Sequence, residues 1–78
     1  MTLAIARTLD VKGLSCPLPI VKTAQALKQL AAGDLIEVLA TDPGSVKDFA
    51  AWAKTTGNEI VETSAEGGVF RFVLRKKG

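Results

Sequence analysis

The sequence holds one thiol, Cys16, set in Ser15-Cys16-Pro17-Leu18-Pro19. Proline is favoured at the first position of a helix, because the N–H it lacks would have found no partner there. Pro17 also pushes Cys16 toward the extended backbone angles of a helix N-cap residue. The pattern predicts a sulfur at a helix N-terminus, where partial positive charge favours thiolate over thiol. An unperturbed thiol is roughly 3% ionised at pH 7, and a two-unit fall in pKa would raise that to about three quarters. Pro17 and Pro19 leave Leu18 as the one N–H donor among the first three helical positions. A sulfur biased by the helix end but not wrapped in donors suits a nucleophile that must leave and return.

Little else in the chain does chemistry. There is no His and no Tyr, which excludes Ser-His-Asp and Cys-His catalysis and every histidine metal site. General acid–base work would rest on eight carboxylates or a shifted Lys. With one Cys there is no internal disulfide and no basis for a Cys metal cluster, so no metal or cofactor is expected. A sulfur atom held on Cys16 as a persulfide could not be lost to a resolving thiol. The residues favour carrying an activated sulfur over generating one, and the chain is not expected to be an enzyme by itself. The bland alternative is a buried free Cys acting as a small hydrophobe.

At 78 residues the chain reads as one small domain, 1–78, of ordinary globular composition, 47% hydrophobic and 23% charged. No apolar run reaches a membrane span, and Met1 to Arg7 lacks the basic start of a signal peptide. A cytoplasmic protein without direct membrane contact is expected. The net charge of +2 is uneven: residues 1–33 carry +3, residues 34–70 carry −5, and the last eight carry +4. Such asymmetry fits an oriented partner surface, and a solvated tail explains the basic end equally well.

Leu3, Ile5, Leu9 and Val11 fall on one face at period two, with Arg7 the exception, which predicts a strand. Lys12 to Cys16 reads as a loop with Gly13 free to take an unusual angle. From Pro17, residues Ile20, Val21, Ala24, Leu27, Leu30 and Ala31 follow helical spacing, with Gly33 as the stop. Leu35 to Ala40 is a second strand, and Thr41-Asp42-Pro43-Gly44 is a turn. Ser45 and Asp48 resemble a capping box opening a second helix with Val46, Phe49, Ala50 and Ala53 inward. Ile60 to Ala65 and Val69 to Arg75 form a hairpin around Glu66-Gly67-Gly68. The order β-α-β-α-β-β predicts an α/β (α+β) two-layer sandwich, a four-stranded mixed sheet with two helices on one face. The other face would be partly open.

The run Leu9-Asp10-Val11-Lys12-Gly13-Leu14-Ser15-Cys16-Pro17-Leu18-Pro19 resembles the signature of the TusA/SirA family of sulfur carriers, whose core is Cys-Pro-x-Pro. Element order, the Asp42-Pro43 turn and the closing strand Phe70 to Lys76 extend the likeness over nearly the whole chain. The resemblance implies a cytoplasmic carrier with a persulfide on Cys16 and supporting roles for Pro17, Pro19, Asp10 and Gly13. It implies a cysteine desulfurase or rhodanese-type donor and a sulfur-acceptor protein in tRNA thiolation or in sulfur metabolism and oxidation. Nucleic acid would then be met only indirectly. Members of the tRNA-thiolation type often have Glu between the prolines. Leu18 stands there instead, removing a like charge beside the sulfur and favouring a sulfur-metabolism relative.

Further candidates for partner docking are Leu18 and Lys22, and also Arg75, Lys76 and Lys77, which could dock an acidic partner or steer a tRNA-bound complex. Asp42 to Ser45 could line a surface near Cys16, but turn and cap chemistry accounts for each of those residues. Trp52 reads as core edge. The alternative function is a non-catalytic regulatory or nucleic-acid- or protein-binding module, since the fold also resembles the C-terminal domain of translation initiation factor three. Three Phe, one Trp and a charge of +2 make a poor electrostatic case for nucleic acid. A thiol redox sensor is disfavoured by the missing resolving thiol.

Overall fold

The computed structural model describes residues 5–15 and 18–77. Strands β1 (Ile5–Asp10), β2 (Leu35–Ala40), β3 (Glu59–Glu66) and β4 (Val69–Arg75) enclose helices α1 (Leu18–Leu27) and α2 (Ser45–Thr56) in the expected order. The sheet order is β1-β2-β4-β3. β1 lies parallel to β2, and β4 runs antiparallel to both β2 and β3. This is the mixed four-stranded α+β sandwich that the hydrophobic periods call for.

The helices share one face because only one face of the sheet is continuously apolar. Ile36, Val38 and Ala40 of β2 pair with Leu74, Phe72 and Phe70 of β4, and the first five of these are buried. Ala26 and Leu27 of α1 and Phe49 of α2 close over them. The Phe49 ring stacks on Phe72 at 4.6 Å between centroids, and Trp52 meets Phe49 edge-on at 6.1 Å. Trp52 thus sits half-buried at the core edge.

Several local readings change. The first helix stops at Leu27, before the predicted Leu30 and Ala31. There the backbone tightens, with Gln29 N–H donating to Ala26 O and Leu30 N–H to Leu27 O. The connection is then stitched to the end of β4: Gly33 N–H donates to Lys76 O, and Lys76 N–H to Asp34 O, at 2.9 Å each. Leu30 still packs on the core, so periodicity saw its burial but not its backbone. The buried stripe of α1 is rotated onto Pro19, Thr23, Ala26 and Leu27, which leaves Val21 42% exposed. The Thr23 hydroxyl is satisfied by Pro19 O at 2.8 Å. On α2, Val46 and Ala50 are exposed while Phe49 and Ala53 are buried.

The capping box does not form. Gly44 is the N-cap, and the buried Ser45 is already helical, its hydroxyl donating back to Asp42 O at 2.6 Å. In β1 a bulge between Ile5 and Arg7 pairs Ile5 with Leu35 and Arg7 with Ile36, so Ile5 does not share the face of Leu9. Leu3 lies outside the described residues. The hairpin forms, but its turn is shorter than expected: Glu66 pairs with Val69 as the last residue of β3, and Gly67 and Gly68 both take positive φ, the angles a two-residue loop demands.

The second face of the sheet carries charge. Glu37, in the middle of β2, accepts hydrogen bonds from Thr8 of β1 and from Arg71 of β4. Arg71 also reaches Glu62 of β3 at 2.8 Å, so a polar chain crosses all four strands. Arg75 pairs with Glu59 at 2.9 Å. Val73 is buried beneath this layer. The hydrogen bond from Arg71 holds the Glu37 carboxyl below its ordinary range against the opposing effect of burial, with help from Thr8.

A carboxylate whose pKa is lower folded than unfolded adds stability above its unfolded pKa and loses it as pH falls through the folded value. Replacing Glu37 with Gln should therefore destabilise the protein at neutral pH. The difference from wild type should shrink as pH drops below about 4.5. Urea unfolding of both proteins across that range checks this; a pH-independent difference would contradict it.

Candidate functional site

The chain leaves β1 at its C-terminal end and must reach α1 within a few residues. Parallel pairing brings the ends of β1 and β2 together, so the loops that follow them meet. Val11 N–H donates to Leu39 O at 2.8 Å, and the Val11 side chain is buried. Asp10 accepts the N–H of Lys12 on Oδ1 at 2.9 Å, shaping the exit from the strand. Its ion pair with the Lys12 ammonium, at 3.8 Å and exposed, adds little. Leu14 N–H closes a turn onto Val11 O, which places Gly13 at φ +83°. Only glycine takes that angle without strain.

Gly13 N–H then donates across the gap to the Thr41 hydroxyl at 2.9 Å. This bond ties the β1–α1 loop to the β2–α2 turn. Thr41 was not singled out from sequence, because its partner lies 28 residues away. The signal available was the hydroxyl at the end of a strand parallel to β1. Leu14 packs on the core, and Ser15 O accepts Leu18 N–H at 2.9 Å. Cys16 and Pro17 lie outside the described residues, between these two anchors in sequence.

The remaining candidates separate into two ends. Pro19 is buried in the first turn of α1, Leu18 is 44% exposed, and Lys22 is exposed one turn on. These stay with the loop. Within the turn from Asp42 to Ser45, Gly44 N–H donates to Asp42 Oδ1 and Ser45 N–H to Asp42 O. Arg75 and Lys76 belong elsewhere. Arg75 pairs with Leu35 at the start of β2, whereas Val11 follows the residue beside Leu39. Four residues of strand, about 13 Å, separate the two levels. Arg75 is engaged by Glu59, and the Lys76 ammonium donates to Leu30 O near the end of α1. As docking candidates they therefore stand apart from Leu18 and Lys22, at the other end of the sheet.

No helix among the described residues is long and apolar enough to cross a membrane. Residues 7–76 match the family described as sulfurtransferase TusA. The sulfur carrier protein TusA of Allochromatium vinosum is 53% identical over 68 residues, covering 87% of this chain and 90% of that one. The putative sulfur carrier protein YrkF of Bacillus subtilis is 56% identical over 70 residues, which is 90% of this chain but 38% of that longer relative. Among solved structures, a SirA-like protein of Desulfitobacterium hafniense superposes with a TM-score of 0.79 at 26% identity. That match covers 92% of this chain and 99% of that one.

Replacing Thr41 with Val keeps the shape and removes the hydroxyl that Gly13 N–H uses. Amide exchange at Gly13 should speed up by about tenfold, the worth of one net hydrogen bond. Exchange at Val11, held by Leu39, should change far less. Equal acceleration at both would mean the whole strand end had loosened.

Proposed function

The chain belongs to the TusA family, and we infer that it is a sulfur carrier whose Cys16 takes up sulfane sulfur as a persulfide and relays it to an acceptor protein. The observation that carries this reading is the chain's sole thiol in Cys16-Pro17-Leu18-Pro19, between a loop pinned to the sheet and the start of α1. Leu18 N–H, the one backbone donor that Leu18 and Pro19 hold between them, is given to Ser15 O. Neither residue has an N–H left to clasp a sulfur that must depart.

In loading, the Cys16 thiolate attacks the outer sulfur of a donor persulfide. The donor's S–S bond breaks as a new one forms on Cys16, and the electron pair leaves on the donor thiolate. In delivery an acceptor thiolate attacks the outer sulfur of the Cys16 persulfide, and Cys16 departs as thiolate. Sulfur is conserved and no net oxidation occurs. Donor and acceptor approach over Leu18 and Val21, exposed apolar side chains beside the motif, with Lys22 adding positive potential. Pro17 and Pro19 shape the helix start, and Asp10 and Gly13 shape the loop before it. A cysteine desulfurase or rhodanese-type protein is the donor class. The acceptor serves tRNA thiolation or cytoplasmic sulfur metabolism, and the apolar Leu18 favours the second.

Intact-mass spectrometry under non-reducing conditions tests loading, after incubation with a cysteine desulfurase and cysteine or with a rhodanese and thiosulfate. Wild type should gain one sulfur atom that reductant removes, and Cys16→Ser should gain none. No gain from either donor, with Cys16 open to alkylation, would overturn the reading.

A further inference from the structure

A second feature lies at the end of the molecule away from the β1–α1 loop. Between the C-terminal half of α1 and that of α2 runs a groove of about 230 Å³. Ala24, Leu27 and Trp52 give it apolar walls, and Lys28, Lys76 and Lys77 reach it from the rim. None of the described residues lining it is acidic. Lys12, Arg71 and Arg75 are all ion-paired, whereas these three lysines have no carboxylate partner among the described residues. Both helices end here, and each C-terminus carries about half a negative charge, so three ammonium groups leave a positive surplus.

The far wall is a built one. Asn58 Oδ1 accepts Lys77 N–H at 2.8 Å, while Asn58 Nδ2 donates to the Thr56 hydroxyl at 2.8 Å. That hydroxyl donates in turn to Trp52 O. The Lys77 side chain lies over Gly57, where an added Cβ would come within 2.8 Å of it. The tail lysines are therefore placed before anything binds, which lowers the cost of binding. The volume falls below the roughly 300–1,000 Å³ of pockets that enclose drug-sized ligands, and suits one or two apolar side chains.

We propose that this groove docks an acidic peptide segment of a partner protein, which seats an apolar side chain against Trp52 and sets carboxylates on Lys28, Lys76 and Lys77. Apolar walls inside a cationic rim match alternating acidic and apolar side chains better than a phosphate backbone, which would leave the walls unused. A partner held here leaves the opposite end free for sulfur exchange. Such a tether raises the effective concentration of the reacting groups at Cys16.

Trp52 is the only tryptophan, so its fluorescence reports on the groove directly. The probe is a blocked octapeptide alternating Glu with Leu, titrated against the full chain. A Lys-with-Leu octapeptide and an octauridylate are run beside it. The Glu peptide should give a saturable change in Trp52 emission, weaker at about 0.5 M salt than at about 0.05 M. The Lys peptide and the octauridylate should give none. Binding should fall by about tenfold or more in Lys28→Glu/Lys77→Glu. A Lys28→Gln/Lys77→Gln protein with an unchanged melting temperature should show a smaller loss. Cys16→Ser should bind like wild type, which separates this site from sulfur loading. No saturable response, undiminished binding by the charge variants, or binding of octauridylate in preference to the peptide would overturn the proposal.

Discussion

One aromatic contact joins the two layers of this small protein. Phe49 stacks on Phe72 at 4.6 Å, and both rings are almost wholly buried. Such a pair contributes about 0.5–1.5 kcal/mol beyond the burial of its area. Its position matters more than that figure. Phe72 lies on β4, between β2 and β3, so the ring anchors α2 over the middle of the sheet. α1 then packs against α2 and β2. With both helices set, the loops after the parallel strands β1 and β2 meet at one end, and the Gly13–Thr41 bond forms.

The sheet's two faces are kept chemically distinct. One is apolar and covered by helices; the other bears the chain from Thr8 through Glu37 and Arg71 to Glu62. A charged, hydrogen-bonded layer meets water without needing a covering partner. The exposed large hydrophobic residues among those described are Leu18, Val21 and Val46, all in the first two turns of the helices. The exposed large apolar side chains are thus concentrated at the helix starts, the end that Cys16 adjoins in sequence.

Much of this was legible from residue order. β2 was read to its observed bounds because an apolar run between Gly33 and the Asp42-Pro43-Gly44 turn leaves little freedom. The hairpin followed from Gly67-Gly68, since two adjacent positive φ angles are cheap only for glycine. The motif around Cys16 identified the family before any fold was known. What escaped depends on partners distant in sequence. α1 ends where the loop after it is stitched to Lys76, just past β4, and no helical period records that. The bulge in β1 turns Ile5 away from Leu9 although their spacing is correct for one face. That the docking candidates Arg75 and Lys76 lie at the other end of the sheet from Leu18 and Lys22 follows from strand register, which residue order does not record.

As a carrier's cargo, sulfur on Cys16 is held and then given up, and delivery is the step to follow. Protein loaded with isotopically labelled sulfur, freed of its donor, is mixed with glutathione and followed by mass spectrometry over time. The label should leave as glutathione persulfide, one atom per chain, while the protein returns to the mass of its free thiol. A label that stays on the protein while the thiol is in excess would contradict a carrier role.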